Sequence, residues 1–418
     1  MAAFGPMHSP MDGPMSLNAI SSKGFQASTF QSHNPKIFHW HDISIFNYAH
    51  RVRPDGFVDL TFMISRDDGR HYVPFWHVAG RSHVIRPASV MGDSSGRVYF
   101  LFPTCDHQDP VAALSLGLLV FGPSNGFSQP VLSKTFSGWG AGNFTSHLDV
   151  RRRLIFYVKT ANRDSEGVRP DFLTIDANGG AVVAERILTS PGDERGLDYP
   201  HLASDEDALY LAWTSWDKST NRYDAIHGIK SEDAGRAWKT FEGEPVSLPV
   251  DSTPAGPGTS IRVEEESDLS TWLARMTFHE GVLHFFYSVR GPASLAMRYR
   301  RFDLETLSWM PDVTPEWGGK YSRIHGLDGF FTMTPGMVFF VGSSHGRRIT
   351  VIASDNAGET WIDFAEYELP PGYIPYGLDG VGHLTSDGSI LGVFTAQRTT
   401  PAADLVDADV VMSLRIPT

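Results

Sequence analysis

Histidines and arginines recur at comparable places along this chain: His83 and Arg86 with His107, His147 with Arg163, His201 with Lys218, Arg275 with Arg290, Arg323 and His325 with His345, and Tyr376 with Arg398. An imidazole titrates near neutral pH, and a guanidinium grips a carboxylate through two parallel hydrogen bonds. Gathered together, these residues predict an anionic ligand. Phosphates, sialic acids and uronates are the candidates. No Gly-rich loop opens a helix that could cradle a phosphate, so carboxylated sugars fit best.

The elements that must position these groups are short strands. An apolar strand recurs as Val98–Phe102, Leu154–Val158, Leu209–Trp213, Leu283–Tyr287, Val338–Val341 and Ile390–Phe394, at intervals of 52 to 56 residues apart from one of 74. Each interval accommodates a four-stranded blade, and the long one holds an insertion near Glu244 to Ser270 that would wall one side of a pocket. Three degraded copies of an eight-residue turn, Ser65–Tyr72, Ser231–Trp238 and Ser354–Trp361, follow the Asp-box pattern. Its acidic side chain accepts backbone N–H bonds, its Gly supplies positive φ, and its aromatic packs back on its own sheet.

Strands around Phe57 to Phe75 precede the six, which predicts an all-β, seven-bladed β-propeller of four-stranded antiparallel blades with Asp-box turns. Six and eight blades are the other counts the spacing allows. The last strand, Val410 to Ile416, is expected to join an N-terminal strand such as Ile37 to Trp40, closing the ring without an open sheet edge. Three Gly-Leu-Asp copies, Gly196–Asp198, Gly326–Asp328 and Gly377–Asp379, are expected just before first strands.

In such a meander the loop entering the innermost strand and the loop leaving the second strand lie at one end of the blade. The paired cations above occupy those loops and ring one mouth of the channel. The opposite loops carry Asp93, Asp205, Glu206, Asp207, Glu280 and Asp387. A narrow cleft concentrates the field of its cations, so the formal charge of -13 need not repel an anion. His147, His201 and His383 recur at first strands and would form a ring of hydrogen-bonding pillars.

The acidic balance argues against a nucleic-acid partner, which needs a basic surface. No apolar run is long enough for a membrane span. Residues 1–25 lack the basic start and apolar run of a signal peptide and read as a disordered leader or expression remnant, leaving 26–418 as one propeller domain, read as a monomer. One cysteine, Cys105, supports no disulfide framework. No His or Cys spacing calls for a metal, no cofactor is required, and a calcium ion in an acidic turn would be structural.

The segment Ser82-His83-Val84-Ile85-Arg86-Pro87-Ala88, the strand Gly96–Phe100 and the following Asp106-His107 resemble the BNR-repeat propeller polysaccharide lyases, which include ulvan lyases and L-rhamnose-α-1,4-D-glucuronate lyases. The repeats extend this resemblance over most of the chain, the lyase-specific part over roughly 30 residues. His83 and His107 stand a few residues further apart than the family pattern, through the Met91 to Ser95 turn. The resemblance implies β-elimination at a glucuronate, releasing L-rhamnose from rhamnosyl-glucuronate ends of the gum arabic type. A cation neutralises the carboxylate, a base takes the C5 proton and an acid protonates O4. His107 is the implied base or acid and His83 its neighbour, with Tyr157 and Tyr376 as reserve phenols. Arg86, Arg163, Arg275, Arg290 and Arg323, with His147, His201 and His325, are the substrate-binding candidates. An anionic plant or algal polysaccharide as substrate implies an extracellular enzyme.

Three other readings compete. A sialidase would use Arg86, Arg275 and Arg323 on one carboxylate, but the first turn repeat precedes Arg86 against that family's order. Another glycoside hydrolase would use two carboxylates from Asp198, Asp328 and Asp379. A non-catalytic carbohydrate-binding propeller would show mouth aromatics without a paired acid and base, and Trp213, Trp216 and Trp272 keep it open.

Overall fold

The second and third strands of each repeat carry apolar residues without alternation, and the reason is that both of their faces are covered. Val58–Ser65 and Ser115–Phe121 are buried along their whole length. The outer strand Leu132–Phe136, by contrast, leaves its central residues exposed. Sheets standing side by side around an axis produce this pattern, since each inner strand packs against the preceding and the following sheet.

The structure is a computed structural model and describes residues 16–24, 29, 33–52, 58–82, 87–104, 115–140, 143–160, 171–189, 195–251, 253–263, 268–291, 295–311, 324–344, 347–399 and 409–418. These residues build seven antiparallel blades. Their inner strands are Ile37–Trp40, Ser89–Gly92, Asn143–Asp149, Arg195–Ser204, Ser270–His279, Ile324–Thr334 and Tyr373–Gly380 for blades 1 to 7. The expected fold and blade count hold.

The ring closes differently from the expectation. Asp409–Pro417 pairs with Ser16–Gly24, so that Ser16 faces Arg415 and Leu17 faces Leu414, while Ile37–Trp40 is the inner strand of blade 1. Residues 16–24, within the stretch read as a leader, therefore supply the outermost strand of blade 7. An ionic seam locks this closure: Asp387 of blade 7 receives Arg415 from its own sheet and Arg70 of blade 1 at 2.7 Å.

The insertion also departs from its expected place. Its strand Thr259–Ser260 pairs with His227 and Gly228 on the third strand of blade 4, and Val250–Asp251 pairs with Leu188–Thr189 after blade 3. These contacts lie along outer strands, so its described residues build the rim of blade 4 and not a pocket wall.

The three repeated turns share one hydrogen-bond scheme. Ser231 Oγ accepts from Gly235 N at 2.8 Å and Asp233 Oδ1 from Ala237 N at 2.8 Å. Ser65 with Asp67 and Ser354 with Asn356 repeat it, so an amide oxygen serves as well as a carboxylate. The aromatics do more than pack on their own sheet. Trp238 meets Phe172 of blade 3 at 5.5 Å, and Trp361 meets Tyr299 of blade 5 at 5.1 Å, each edge-on. A Cβ on Gly235 would lie 2.0 Å from Phe172, so the bare glycine lets the preceding blade approach. On their own blades, Tyr72 packs against Phe46 at 4.9 Å and Trp238 joins the cluster of Leu211, Trp213 and Ile229.

Candidate active site

The inner strands enclose a channel containing a cavity of about 400 Å³, lined by His33, His147, His201, Arg275 and His383 among others. Three of these histidines bind the next blade around the ring. His147 Nε2 lies 2.8 Å from Ser204 Oγ, His201 Nε2 3.4 Å from the Leu273 carbonyl, and His383 Nε2 3.3 Å from His39 Nδ1. His39 in turn reaches Asp68 at 3.1 Å. Burial holds His147 down to about 4 against the opposing pull of Asp149. Burial, followed by the positive charges of Arg275 and Lys36, takes His201 to about 3. Both imidazoles are therefore neutral near pH 7, and their role in the fold is to tie blades 3 to 4 and 4 to 5.

Residues 33–36 bridge the channel. Thr145 Oγ1 of blade 3 donates to the His33 carbonyl at 2.8 Å, and Lys36 N donates to Asp379 Oδ2 of blade 7 at 2.7 Å. Asp379 is fully buried and faces Arg275 of blade 5, Nη1 to Oδ1 at 2.9 Å. Arg275 is thus brought into the channel, but it serves as partner to a carboxylate the protein already holds.

The three Gly-Leu-Asp copies sit within inner strands and not before them, two spanning a β-bulge and the blade 4 copy directly preceding one. Register shifts fall between Asp198 and His201, Ile324 and Gly329, and Tyr376 and Asp379. A bulge adds a residue, bends the strand and re-aims its side chains. Gly377 has φ 64, and a Cβ there would lie 2.5 Å from the Thr29 carbonyl, so the N-terminal segment passes against bare backbone.

The equivalent bulge in blade 4 contains Tyr199 at φ 52. A bulky residue with positive φ costs energy and persists only where its surroundings hold it. Its ring stacks on Trp272 with centroids 4.0 Å apart and 26° between planes, and meets His33 edge-on at 5.5 Å. His33 is edge-on to His201 at 5.9 Å. Burial and the nearby Asp198 raise the Tyr223 phenol, which a hydrogen bond with Tyr199 opposes. No sequence motif marks Tyr199, Tyr223 or His33. The only local signal is Tyr199-Pro200 directly after a Gly-Leu-Asp copy.

Of the other candidates, Tyr157 is fully buried and donates to the Trp139 carbonyl at 2.7 Å. Burial raises its phenol, so it is a core residue and not a reserve acid. Trp213 is likewise core. Tyr376 stands half-buried in the inner strand of blade 7, and its carbonyl accepts from Thr29 Oγ1 at 3.2 Å. Arg290 is exposed at the end of Val282–Arg290. His83, His107, Arg86, Arg163 and Arg323 lie outside the described residues, as does the side chain of His325. Among the described residues no group of three or more His, Cys, Asp or Glu is placed to hold a metal ion, and no helix is long and apolar enough to cross a membrane.

A family 25 polysaccharide lyase, an ulvan lyase, superposes with a TM-score of 0.63 at 10% identity over 95% of both chains. The same kind of lyase bound to -[GlcA(1-4)Rha3S]- gives 0.66 at 11% identity, again over 95% of both chains. The polysaccharide lyase Uly1 gives 0.55 at 11% identity, over 96% of this chain and 99% of that one. This chain has their fold. No protein-family model matches it, and no curated protein does. At these identities the likeness concerns the arrangement of blades, and the chemistry must be argued from residues.

Proposed function

We propose that this chain is a polysaccharide lyase that cleaves at O4 of a glucuronate by β-elimination, releasing L-rhamnose from rhamnosyl-glucuronate ends. The observation that carries the reading is the end-to-end likeness to ulvan lyases, one of them holding a glucuronate linked 1–4 to a rhamnose sulfate. The repeated Ser-x-Asp/Asn-x-Gly turns support it, as do the cations that the sequence pattern expects at one mouth. Its substrate class places the enzyme outside the cell.

In the proposed reaction a guanidinium, from Arg86, Arg163 or Arg323, neutralises the uronate carboxylate and makes the C5 proton acidic. A base, His107 or His83, removes that proton. The electron pair forms the C4–C5 double bond, the C4–O4 bond breaks, and O4 leaves with the rhamnose after accepting a proton. Tyr199 joins Tyr376 as a phenol able to supply that proton, because it stands at the channel beside His33 and not in the core. The hydrolase alternative gains nothing from Asp379, whose carboxylate is already engaged by Arg275 and the Lys36 amide.

The test is incubation with gum arabic, ulvan and a sialoglycan, following the ultraviolet absorbance of the conjugated uronate together with released rhamnose. A rise on gum arabic that His107→Ala abolishes supports the reading. Release of reducing sugar or sialic acid without that absorbance would refute elimination and favour a hydrolase.

A further inference from the structure

A second cavity, of about 440 Å³, lies at the seam of blades 1 and 2, between Trp76 on the outer strand Val73–Ser82 and Phe102, Gly117, Ser133 and Thr135 of the next blade. It sits among outer strands, away from the channel. The sheet register sets its shape. Phe102, Gly117 and Thr135 stand abreast on neighbouring strands of blade 2, with Ser133 two residues from Thr135. A Cβ on Gly117 would lie 2.9 Å from the Phe102 ring, so that ring lies over bare backbone and forms the floor. Trp76 forms the facing wall, half-buried and edge-on to Phe121 at 5.6 Å. Thr104, the last residue of Val98–Thr104, stands at one end.

The lining is hydroxyl and apolar in character. The side chains of Thr104, Ser133 and Thr135 make no hydrogen bond to any described residue. The two ionisable residues of the lining direct their charges elsewhere. His77 Nδ1 lies 3.5 Å from Thr61 Oγ1 on the other face of its sheet, and the Lys134 stem packs over Gly179 of blade 3.

Hydroxyls both donate and accept, which suits a ligand that is itself a polyol. A uronate carboxylate entering here would meet no cation, and burying it unpaired is costly. Ser133 and Thr135 are about 7 Å apart along their strand, a span that brackets one pyranose ring, while Trp76 and Phe102 offer apolar surface to its C–H groups. We propose that this cleft is a non-catalytic carbohydrate site that holds a neutral hexopyranose. It tethers a polysaccharide at a distance from the bond being cut, and it stands independently of elimination.

The test is saturation-transfer NMR on the whole protein with methyl β-D-glucopyranoside and methyl β-D-galactopyranoside, and with methyl β-D-glucuronoside as the anionic control. Transfer is expected to at least one hexoside and not to the glucuronoside through this cleft. The double variant Ser133→Ala with Thr135→Val, both at exposed positions, should cut hexoside transfer about fivefold or more. Ser133→Tyr, which fills the cleft from its rim, should abolish it. Elimination on gum arabic, measured in parallel, should keep its kcat within about twofold in both variants.

Absence of transfer to either hexoside, or transfer unchanged in the folded variants, overturns the site. Glucuronoside transfer that depends on Ser133 and Thr135 overturns its neutral selectivity, and a kcat lost together with hexoside transfer overturns its non-catalytic role. Hexoside transfer that depends on these residues in a protein with no elimination activity supports the site and removes the lyase reading.

Discussion

Arg275 and Asp379 meet across the central channel, Nη1 to Oδ1 at 2.9 Å, and so join the inner strands of blades 5 and 7, which are not neighbours in the ring. The Lys36 amide completes the carboxylate's partners from the N-terminal segment. Three distant parts of the chain are held at one buried charge.

Removing one member of that pair strands the other. Arg275→Ala or Asp379→Asn is expected to cost about 3–5 kcal/mol in urea unfolding, whereas the double change Arg275→Met with Asp379→Leu costs much less, because no unpaired charge is left behind. Equal losses for single and double variants would mean that the pair contributes by packing alone.

Tyr199 holds a conformation unfavourable for its size, and its ring is anchored by Trp272 and His33. Tyr199→Phe keeps those contacts and deletes only the phenol. If that phenol protonates the leaving group, kcat falls by about 100-fold or more with the melting temperature unchanged. A kcat retained within about threefold would leave Tyr376 as the described phenol to test.

Buried imidazoles make stability pH-dependent with a definite sign. Burial depresses His201 and His284 to about 3 and His147 and His227 to about 4 from an ordinary 6.5. The unfolded chain therefore takes up protons below pH 6.5 that the folded chain refuses until much lower pH. This contribution is complete above 6.5 and is lost as pH falls toward the folded values. Between pH 7 and 5 each deeply buried histidine accounts for up to about 2 kcal/mol. Urea unfolding should show this decline, and His201→Gln should reduce its slope.

Residues 16–24 occupy the edge position of blade 7. Deleting the chain through Gly24 exposes the N–H and C=O row of Asp409–Pro417. The truncated protein is expected to melt lower and to aggregate through that edge, measured by calorimetry and light scattering. Unchanged melting would show that the other six blades carry the ring without this strand.

Much of the architecture was legible because it is written locally. Runs buried on both faces must be apolar without alternation, and each tight turn needs its Ser, Asp or Asn and Gly at fixed offsets, so blade count and turns could be read from spacing. The closing strand could not. Ser16–Gly24 mixes small polar residues with Leu17, Ala19 and Ile20 and takes its pairing from Asp409–Pro417 at the far end of the chain. The Tyr199–Trp272 stack and the channel pair were hidden for a similar reason. Tyr199, Trp272, Arg275 and Asp379 sit on three different blades, and nothing in their own neighbourhoods states that they meet. Composition and local pattern determined an all-β propeller of four-stranded blades. Which cations remain available to a ligand, which tyrosine is core and which stands at the channel depend on contacts between residues far apart in sequence, and these exist only once the ring has closed.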